Sequence, residues 1–329
     1  MAEKRIFSGM QPSGRFHLGN YMGALKNWVD LQNDYECYFS IVDIHALTSG
    51  YSDTSQLKEN IFQMAVDWLS AGLNPEKNVV FLQSHVKEHA QLHLYLSMNT
   101  PLSWLERVPT YKDKLQQLGE AGKDINTYGF FGYPVLMTAD IILYMARYVP
   151  VGEDQVPHIE LAREMVRRFN YLYKPIFPEP EALLTEAKVL PGIDGRKMSK
   201  TYDNYIPLGA SPEQLREKVA QMITDPARIR KTDKGHPDIC TVDAFLKHFS
   251  KGEYAGIRTN CKNGEIGCVA CKRSLSDNML LALAPIYERR QEFLQKPRYI
   301  EEILDFGARR ARERAEQTMD EVREAMRLW

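Results

Sequence analysis

The segment from Gly9 to Asn20 constrains the fold more than any other, because it joins a strand pattern to a helix pattern. The apolar run Arg5–Phe7 before it has the β-branched and aromatic content of a short buried strand. After it, the apolar residues of Tyr21–Val29 recur at helical spacing. Glycines and a proline between the two indicate an unusual backbone conformation. Free N–H groups at the start of a helix attract anions, so the segment predicts a phosphate site.

Other strand and helix patterns follow in alternation. The apolar runs Glu36–Val42, Asn78–Gln83 and Tyr148–Gly152 predict further strands, and helical patterns lie between them. Continuous apolar strands separated by helices are typical of a parallel sheet covered on both faces. We therefore expect an α/β fold, with a Rossmann-like, doubly wound parallel sheet forming a catalytic domain over residues 1–200. Helical patterns predict a mainly helical domain over 201–329, whose final helix could pack back on the first domain.

Composition narrows the class of protein. The chain has 329 residues, of which 44% are hydrophobic and 26% charged, as in ordinary globular proteins. It has no apolar run of about 18 residues and no charged-then-apolar N-terminal signal, so we expect a cytoplasmic protein without a membrane partner. The net charge is −1, so any nucleic acid must be bound by local basic patches. The polar segment 101–132 is either an insertion or a subunit contact.

A lysine-containing loop and one acidic residue in an apolar helix pattern are candidate functional features. The polar loop 195–201 contains two lysines, Lys197 and Lys200, whereas no Walker-type phosphate loop is present. Asp140 is the one charge in the apolar helix pattern Val135–Tyr144. Burying a carboxylate without a partner is costly. Asp140 is therefore either solvated at a helix edge or an acceptor that faces a ligand donor.

These loops give the chain a resemblance to the class I aminoacyl-tRNA synthetases. His17–Asn20 (His-Leu-Gly-Asn) is similar to the family's His-Ile-Gly-His signature, and Lys197–Thr201 (Lys-Met-Ser-Lys-Thr) is similar to its Lys-Met-Ser-Lys-Ser signature. Four more segments resemble the tryptophan-activating branch of the family, and they follow its order: Phe7–Gly14, Ile41–Ala46, Met137–Ile141 and Val149–Gln155.

The resemblance implies a two-step reaction. L-tryptophan would react with ATP, accompanied by Mg²⁺, to give an adenylate and pyrophosphate, and the tryptophanyl group would then pass to tRNA(Trp). It also implies a homodimer. Two alternatives stay open: a tyrosine-activating member of the family, and a catalytically silent synthetase-like sensor of redox state or nucleic acid.

The resemblance also implies three sets of site residues. The catalytic residues would be His17, Lys197, Ser199 and Lys200, with both lysines stabilising charge on the departing pyrophosphate. The ATP site would comprise Gln11, Pro12, Ser13, Gly19, Asn20, Gly152, Glu153, Asp154, Val189, Lys197, Met198, Ser199, Lys200 and Thr201. The tryptophan site would comprise Phe7, Gly9, His45, Met137, Asp140, Val149, Val151 and Gln155. Indole offers one N–H donor and no acceptor, which suits a buried carboxylate such as Asp140. For Met137, Val149 and Val151, core packing is an equal alternative.

Four of the five cysteines are clustered. Cys240, Cys261, Cys268 and Cys271 have 20, six and two residues between successive members. Paired zinc sites usually contain two short Cys-x2-Cys units, and only one is present here. The spacing Cys261-x6-Cys268-x2-Cys271 resembles the iron–sulfur loop of endonuclease III-type DNA glycosylases, which favours a [4Fe-4S] cluster over structural Zn²⁺. Basic residues in this loop indicate a fold staple near the tRNA anticodon arm, in the predicted metal loop 240–271.

Overall fold

The computed structural model describes residues 4–108, 126–184, 190–230 and 232–329. Its centre is a five-stranded, wholly parallel sheet with the order β3-β2-β1-β4-β5. The strands are β1 (Arg5–Met10), β2 (Glu36–Ile41), β3 (Val79–Leu82), β4 (Tyr148–Val151) and β5 (Glu181–Leu184). This sheet and its surrounding helices confirm the predicted Rossmann-like α/β fold.

Helices make up most of the remaining described chain. Short 3₁₀ turns occur at Gln83–His85, Glu153–Gln155, Lys200–Tyr202 and Pro237–Ile239. None of the helices in the described ranges is both long enough and apolar enough to span a membrane. A π-helical turn, Tyr21–Leu25, joins the first two helices. In chain order the α-helices are α1 (Leu18–Asn20), α2 (Lys26–Leu31), α3 (Asp43–Gly50), α4 (Leu57–Ala71), α5 (Glu88–Ser97), α6 (Leu102–Glu106), α7 (Tyr128–Phe131), α8 (Tyr133–Ile142), α9 (Val156–Leu172), α10 (Pro212–Gln221), α11 (Thr241–Phe249), α12 (Tyr254–Asn263), α13 (Cys268–Leu294) and α14 (Pro297–Met326).

The sheet has an apolar layer on each face, because successive strand residues point to opposite sides. Ile6 and Phe39 lie on one face, in a cluster that contains Trp28 and Trp68. Phe7 lies on the other face, with residues of α5, α8, α9 and α14. A sheet that is buried on both faces explains why the strand patterns are continuously apolar.

Strand β5 was not predicted from the sequence. It lies in the stretch from Tyr171 to Ile193, which is rich in proline and turn residues. The strand has four residues, and its burial ranges from exposed to half-buried. It forms the far edge of the sheet and pairs along its length with β4, from Tyr148 opposite Glu181 to Val151 opposite Leu184. A strand of four residues that is partly exposed is too short to show a periodic pattern.

The opposite edge of the sheet, β3, is covered by the long helix α14. Gly307 makes this approach possible, because a Cβ at this position would overlap the carbonyl oxygen of Val80. Ala308, Ala311 and Ala315 follow Gly307, and all three are buried. Small residues therefore let a helix from the C-terminal part of the chain lie directly against the sheet.

Candidate active site

The candidate site lies at the carboxyl ends of β1 and β4, which are neighbours in the sheet. The strand order runs outward in opposite directions from this pair. In open α/β sheets, ligands bind in the crevice at such a switch point. The residues that leave β1 at Gln11 and β4 at Gly152 therefore stand at the edges of this crevice.

His17 caps the helix that follows β1. Its Nδ1 accepts a hydrogen bond of 3.2 Å from the Asn20 N–H, and the His17 N–H donates over 3.2 Å to Asn20 Oδ1. Burial, together with the charge of Lys200, lowers the pKa of His17 to about 4. The imidazole is therefore neutral near pH 7. Because Nδ1 is an acceptor, the ring proton is on Nε2, where it can donate to an anionic ligand.

Asn204 fixes the shape of the second signature loop, and sequence reasoning missed it. Its Oδ1 accepts a bond of 2.7 Å from the Ser199 N–H, and its Nδ2 donates over 3.1 Å to the carbonyl oxygen of Lys197. A third bond, of 2.7 Å, joins Nδ2 to Asp194 Oδ1. Asn204 is buried, and in the sequence it looks like any other turn residue.

The two signature segments meet directly. Lys200 Nζ donates over 2.9 Å to the carbonyl oxygen of Ser13, and the Gly19 N–H contacts Met198 Sδ at 3.3 Å. A two-sided backbone pairing extends the contact, with Leu18 N–H to Ile206 O at 2.9 Å and Leu208 N–H to Phe16 O at 3.0 Å. Residues far apart in sequence thus form one polar surface.

The lysines of this surface differ in exposure. Lys197 is exposed, whereas Lys200 is half-buried. Burial lowers the pKa of Lys200, and the charge of Asp67 opposes this effect. A lysine that is partly stripped of water interacts more strongly with a phosphate oxygen than an exposed one does. Lys200 therefore has the less hydrated ammonium group of the two lysines.

The predicted adenosine segment follows β4 as a 3₁₀ turn, Glu153–Gln155. Gln155 Nε2 donates over 2.8 Å to Asp154 Oδ2, and both side chains are exposed. A Cβ at Gly152 would lie 2.8 Å from Asp154 Oδ1, so a larger residue there would displace the exposed Asp154 side chain. Val189 and the side chain of Thr201 lie outside the described residues, Pro12 is buried, and Gln11 is half-buried.

Asp140 is buried in α8 and accepts hydrogen bonds from three side chains. His45 Nε2 lies 2.9 Å from Oδ2, and His89 Nδ1 lies 2.7 Å from Oδ1. Gln83 Nε2 bridges both oxygens at 2.8 and 2.9 Å. Burial alone would raise the pKa of Asp140, but the contacts with His89 and His45 outweigh it and hold that pKa well below its usual range. Asp140 is therefore an ionised, fully bonded acceptor, and not a side chain solvated at a helix edge.

The apolar residues predicted for the tryptophan site divide by burial. Phe7 is buried and stacks on Tyr144, with ring centroids 5.7 Å apart. Val149 is also buried, whereas Met137 and Val151 are half-buried. A Cβ at Gly9 would lie 2.7 Å from Val42 Cγ1, so close packing already requires glycine there. Packing accounts for Phe7, Gly9 and Val149, and their contact with a substrate stays a prediction.

The four clustered cysteines line one small cavity of about 20 Å³. Cys240 precedes α11, Cys261 lies in α12, and Cys268 and Cys271 are in the first turn of α13. Burial raises the pKa of Cys271 to about 12 and also raises that of Cys261. Within the described ranges, no three histidine, cysteine, aspartate or glutamate residues are already arranged to hold a metal ion. The thiols are thus gathered but not set in a ligand geometry.

A 3-2-1-4-5 parallel sheet, with two signature loops in contact above its switch point, defines a nucleotide-binding enzyme of the class I synthetase type. The family model "tRNA synthetases class I (W and Y)" matches residues 2–284. The chain belongs to this family.

Curated relatives and a solved structure are similar to this chain over nearly its full length. The tryptophan–tRNA ligase of Thermotoga maritima is 49% identical and is covered to 99%, with 98% of this chain aligned. That of Aquifex aeolicus is 43% identical, over 98% of this chain and 100% of the relative. The tryptophanyl-tRNA synthetase of Campylobacter jejuni, solved in complex with ADP and tryptophan, matches with a TM-score of 0.90 at 37% identity over 98% of this chain and 100% of that one.

Proposed function

We infer that the chain activates tryptophan with ATP and transfers the tryptophanyl group to tRNA(Trp), which is the activity of a tryptophan–tRNA ligase. The observation that carries this inference is the contact between the two signature loops, made by Lys200 with Ser13 and by Met198 with Gly19. Through this contact the Lys200 ammonium group lies beside the segment that leads into α1. Full-length similarity to tryptophan–tRNA ligases supports the same activity.

Adenylate formation needs little covalent help from protein, because positioning and positive charge supply most of the catalysis. The neutral His17 donates from Nε2 to a phosphate of ATP, and Gly19 and Asn20 flank it. Lys197 and Lys200 stabilise the charge that develops on pyrophosphate, assisted by Ser199. The other ATP contacts proposed are those of the segments 11–13, 152–154 and 198–201, with Val189. Mg²⁺ accompanies ATP and neutralises phosphate charge.

Asp140 reads the substrate side chain. Its carboxylate is ionised, and an ionised carboxylate only accepts hydrogen bonds. It suits the N–H of indole, whereas the phenol of tyrosine can both donate and accept. Met137 and Val151 are half-buried, and with Phe7, Gly9, His45 and Val149 they form the walls of the slot. Gln155 contacts the polar end of the amino acid.

Partners follow from the activity. The tRNA lies against the helical part, 201–329, and its anticodon arm is near the basic loop around the cysteines. The chain acts as a homodimer. Exposed apolar side chains support such a contact; they include Leu94 on α5, Met98 directly after it and Tyr128 on α7. ATP and tRNA place the reaction in the cytoplasm.

The four cysteines are proposed to hold a [4Fe-4S] cluster, with structural Zn²⁺ as the alternative. Four thiols around one cavity supply the soft donor set that both groups require. Bound metal would deprotonate these thiols and would link α11, α12 and α13, so its contribution is to the stability of the helical part.

One experiment tests the activity against both alternatives. ATP–pyrophosphate exchange should depend on tryptophan and be at least about a hundredfold weaker with tyrosine. A preference for tyrosine would identify the tyrosine branch. Absence of exchange with either amino acid would support a silent sensor.

The metal is tested on the protein purified without oxygen. Iron, sulfide and visible absorption are expected, and Cys271→Ala should lose them. Cys37→Ala is the matched control, because Cys37 is buried in β2, far along the chain from the cluster. A colourless, iron-free protein with stoichiometric zinc would favour the alternative, and a protein with neither metal would refute the proposal.

A further inference from the structure

The environment of Asp140 contains more than a carboxylate ready to meet a ligand. A carboxylate has about four lone-pair directions. Here four contacts occupy them: one from His45, one from His89 and two from Gln83. Any new donor, such as an indole N–H, must therefore displace one of those present. Which donor is displaced depends on how many other hydrogen bonds its movement would break.

Gln83 cannot leave at low cost. Its Oε1 accepts hydrogen bonds from the N–H groups of Ile44 and His45 at 3.2 and 3.3 Å. Backbone N–H groups only donate, so they fix which end of the amide is oxygen and direct Nε2 to Asp140. Moving this fully buried side chain would leave two backbone donors unpaired and would break both of its contacts with the carboxylate.

His89 is held in the same way. Tyr144 O–H and His89 Nε2 are 2.7 Å apart. Burial raises the pKa of Tyr144 well above its usual value, so the phenol keeps its proton and donates to Nε2. The imidazole then carries its own proton on Nδ1 and donates it to Asp140. His89 and Tyr144 are both fully buried, and Tyr144 is stacked between Phe7 and Tyr38.

His45 differs from the other two donors. Its ring makes one hydrogen bond to the described residues, the one to Asp140 Oδ2. Its side chain is 7% exposed, whereas that of His89 is 0% exposed. Rotation of the His45 ring strands no further partner. An imidazole N–H also has the donor chemistry of an indole N–H.

We propose that Gln83 and the Tyr144–His89 pair are positioning residues that hold Asp140 fixed, and that His45 is the exchangeable donor whose place at Oδ2 the indole N–H takes. This inference rests on the proposed role of Asp140 as the reader of tryptophan. Gln83, His89 and Tyr144 would thus contribute to substrate selection, although they are buried too deeply to touch the substrate.

The positioning part is tested by comparing tryptophan with benzothienylalanine, an analogue of similar shape in which sulfur replaces the indole N–H. Tyr144→Phe removes one hydroxyl and keeps the stacked ring. We expect the ratio of kcat/KM for tryptophan to that for the analogue to fall about three- to tenfold, through KM and not kcat. Tyr38→Phe is the matched control, because its hydroxyl bonds to Glu36, outside the network, while its ring stacks on Tyr144 at 4.5 Å.

A second pair of variants separates the hydrogen bond from packing. His89→Asn keeps a donor near the Nδ1 position and should retain more of the tryptophan preference than His89→Leu. A ratio unchanged within twofold in Tyr144→Phe, while Asp140→Asn abolishes it, would overturn the positioning role and leave the proposed function intact. An unchanged preference for tryptophan in Asp140→Asn would overturn the proposed role of Asp140 in recognising the indole N–H.

The exchange part is tested by ¹⁵N NMR of the histidine rings in the full chain, with His45 assigned through His45→Gln. Saturating tryptophan should shift the His45 Nε2 resonance, and benzothienylalanine should not, because it has no N–H to compete for Oδ2. An identical His45 resonance with and without tryptophan would overturn the exchange. Equal shifts with both amino acids would do the same.

Discussion

The proposed amino-acid site and the proposed nucleotide site are built on opposite physical principles. On the amino-acid side, Asp140 is buried and all its acceptor directions are filled by His45, Gln83 and His89. On the nucleotide side, Lys197 is exposed, Lys200 is half-buried, and the loops are joined by a few contacts. Selection of one substrate needs an immobile acceptor, whereas stabilising a moving charge needs groups that can follow it. The difference predicts separable effects of mutation.

The largest effect is expected on the nucleotide side. Lys197→Ala should lower kcat for tryptophan-dependent exchange about 10²- to 10³-fold, the range for removing one group that stabilises developing charge. Tryptophan affinity, measured by equilibrium dialysis, should change little. Lys218→Ala is the control, because Lys218 lies beside the loop at 3.7 Å from Asp203. Equal losses in binding and rate would contradict the separation.

On the amino-acid side, Asp140→Asn should reduce the preference for tryptophan over tyrosine about 10- to 100-fold, since an amide nitrogen would face donors. Exchange assays with both amino acids measure this ratio. The control is Asp67→Asn, which removes another buried carboxylate, one paired with Arg290 at 2.7 Å. Both variants should lose stability. An unchanged tryptophan-to-tyrosine ratio in Asp140→Asn would contradict the proposed role of Asp140 in selecting tryptophan.

Asn204→Ala should show how much the second loop depends on the Asn204 side chain. Loss of its three hydrogen bonds should lower kcat about tenfold by misplacing the lysines, with tryptophan KM unchanged. Steady-state exchange kinetics provide the measurement. Asn263→Ala, an exposed asparagine bonded only to Glu265 in the described chain, is the control. A change in tryptophan KM alone would contradict this assignment.

The smallest effect concerns His17, whose pKa is lowered to about 4 by burial and by Lys200. Its folded pKa is below its unfolded value of about 6.5, so the unfolded chain binds the proton first. The resulting loss of stability grows as the pH falls from about 6.5 to about 4. NMR should show no titration of His17 between pH 8 and 5, and Lys200→Met should raise its pKa by part of the difference. A midpoint near 6.5 in the unmodified chain would refute the burial argument.

The sequence predicted what depends on local pattern. Continuous apolar runs identified four of the five strands, and turn chemistry placed the first signature at a helix start, where His17 is the cap. Strand β5 was missed because four partly exposed residues between prolines carry no periodicity. Local pattern thus predicted the continuously buried strands and missed the partly exposed one.

The partners of Asp140 could not be predicted for a different reason. Gln83 and His89 come from two other segments, and each looks like an ordinary polar residue in its own segment. A buried carboxylate implies donors, but it does not name them. Asn204 was missed for the same reason, because the groups it binds are defined only once the loop has closed on itself.

The cover that α14 provides for β3 has a consequence for synthesis on the ribosome. Strand β3 ends at Leu82, and the helix that lies against it begins at Pro297. At ~5–20 residues per second, the strand waits on the order of ten to fifty seconds for its cover. During that time an apolar sheet edge with unpaired backbone groups is available to other nascent chains. Gly307 therefore affects yield in the cell as well as the finished fold, because a larger residue would prolong that exposure by blocking the helix from docking.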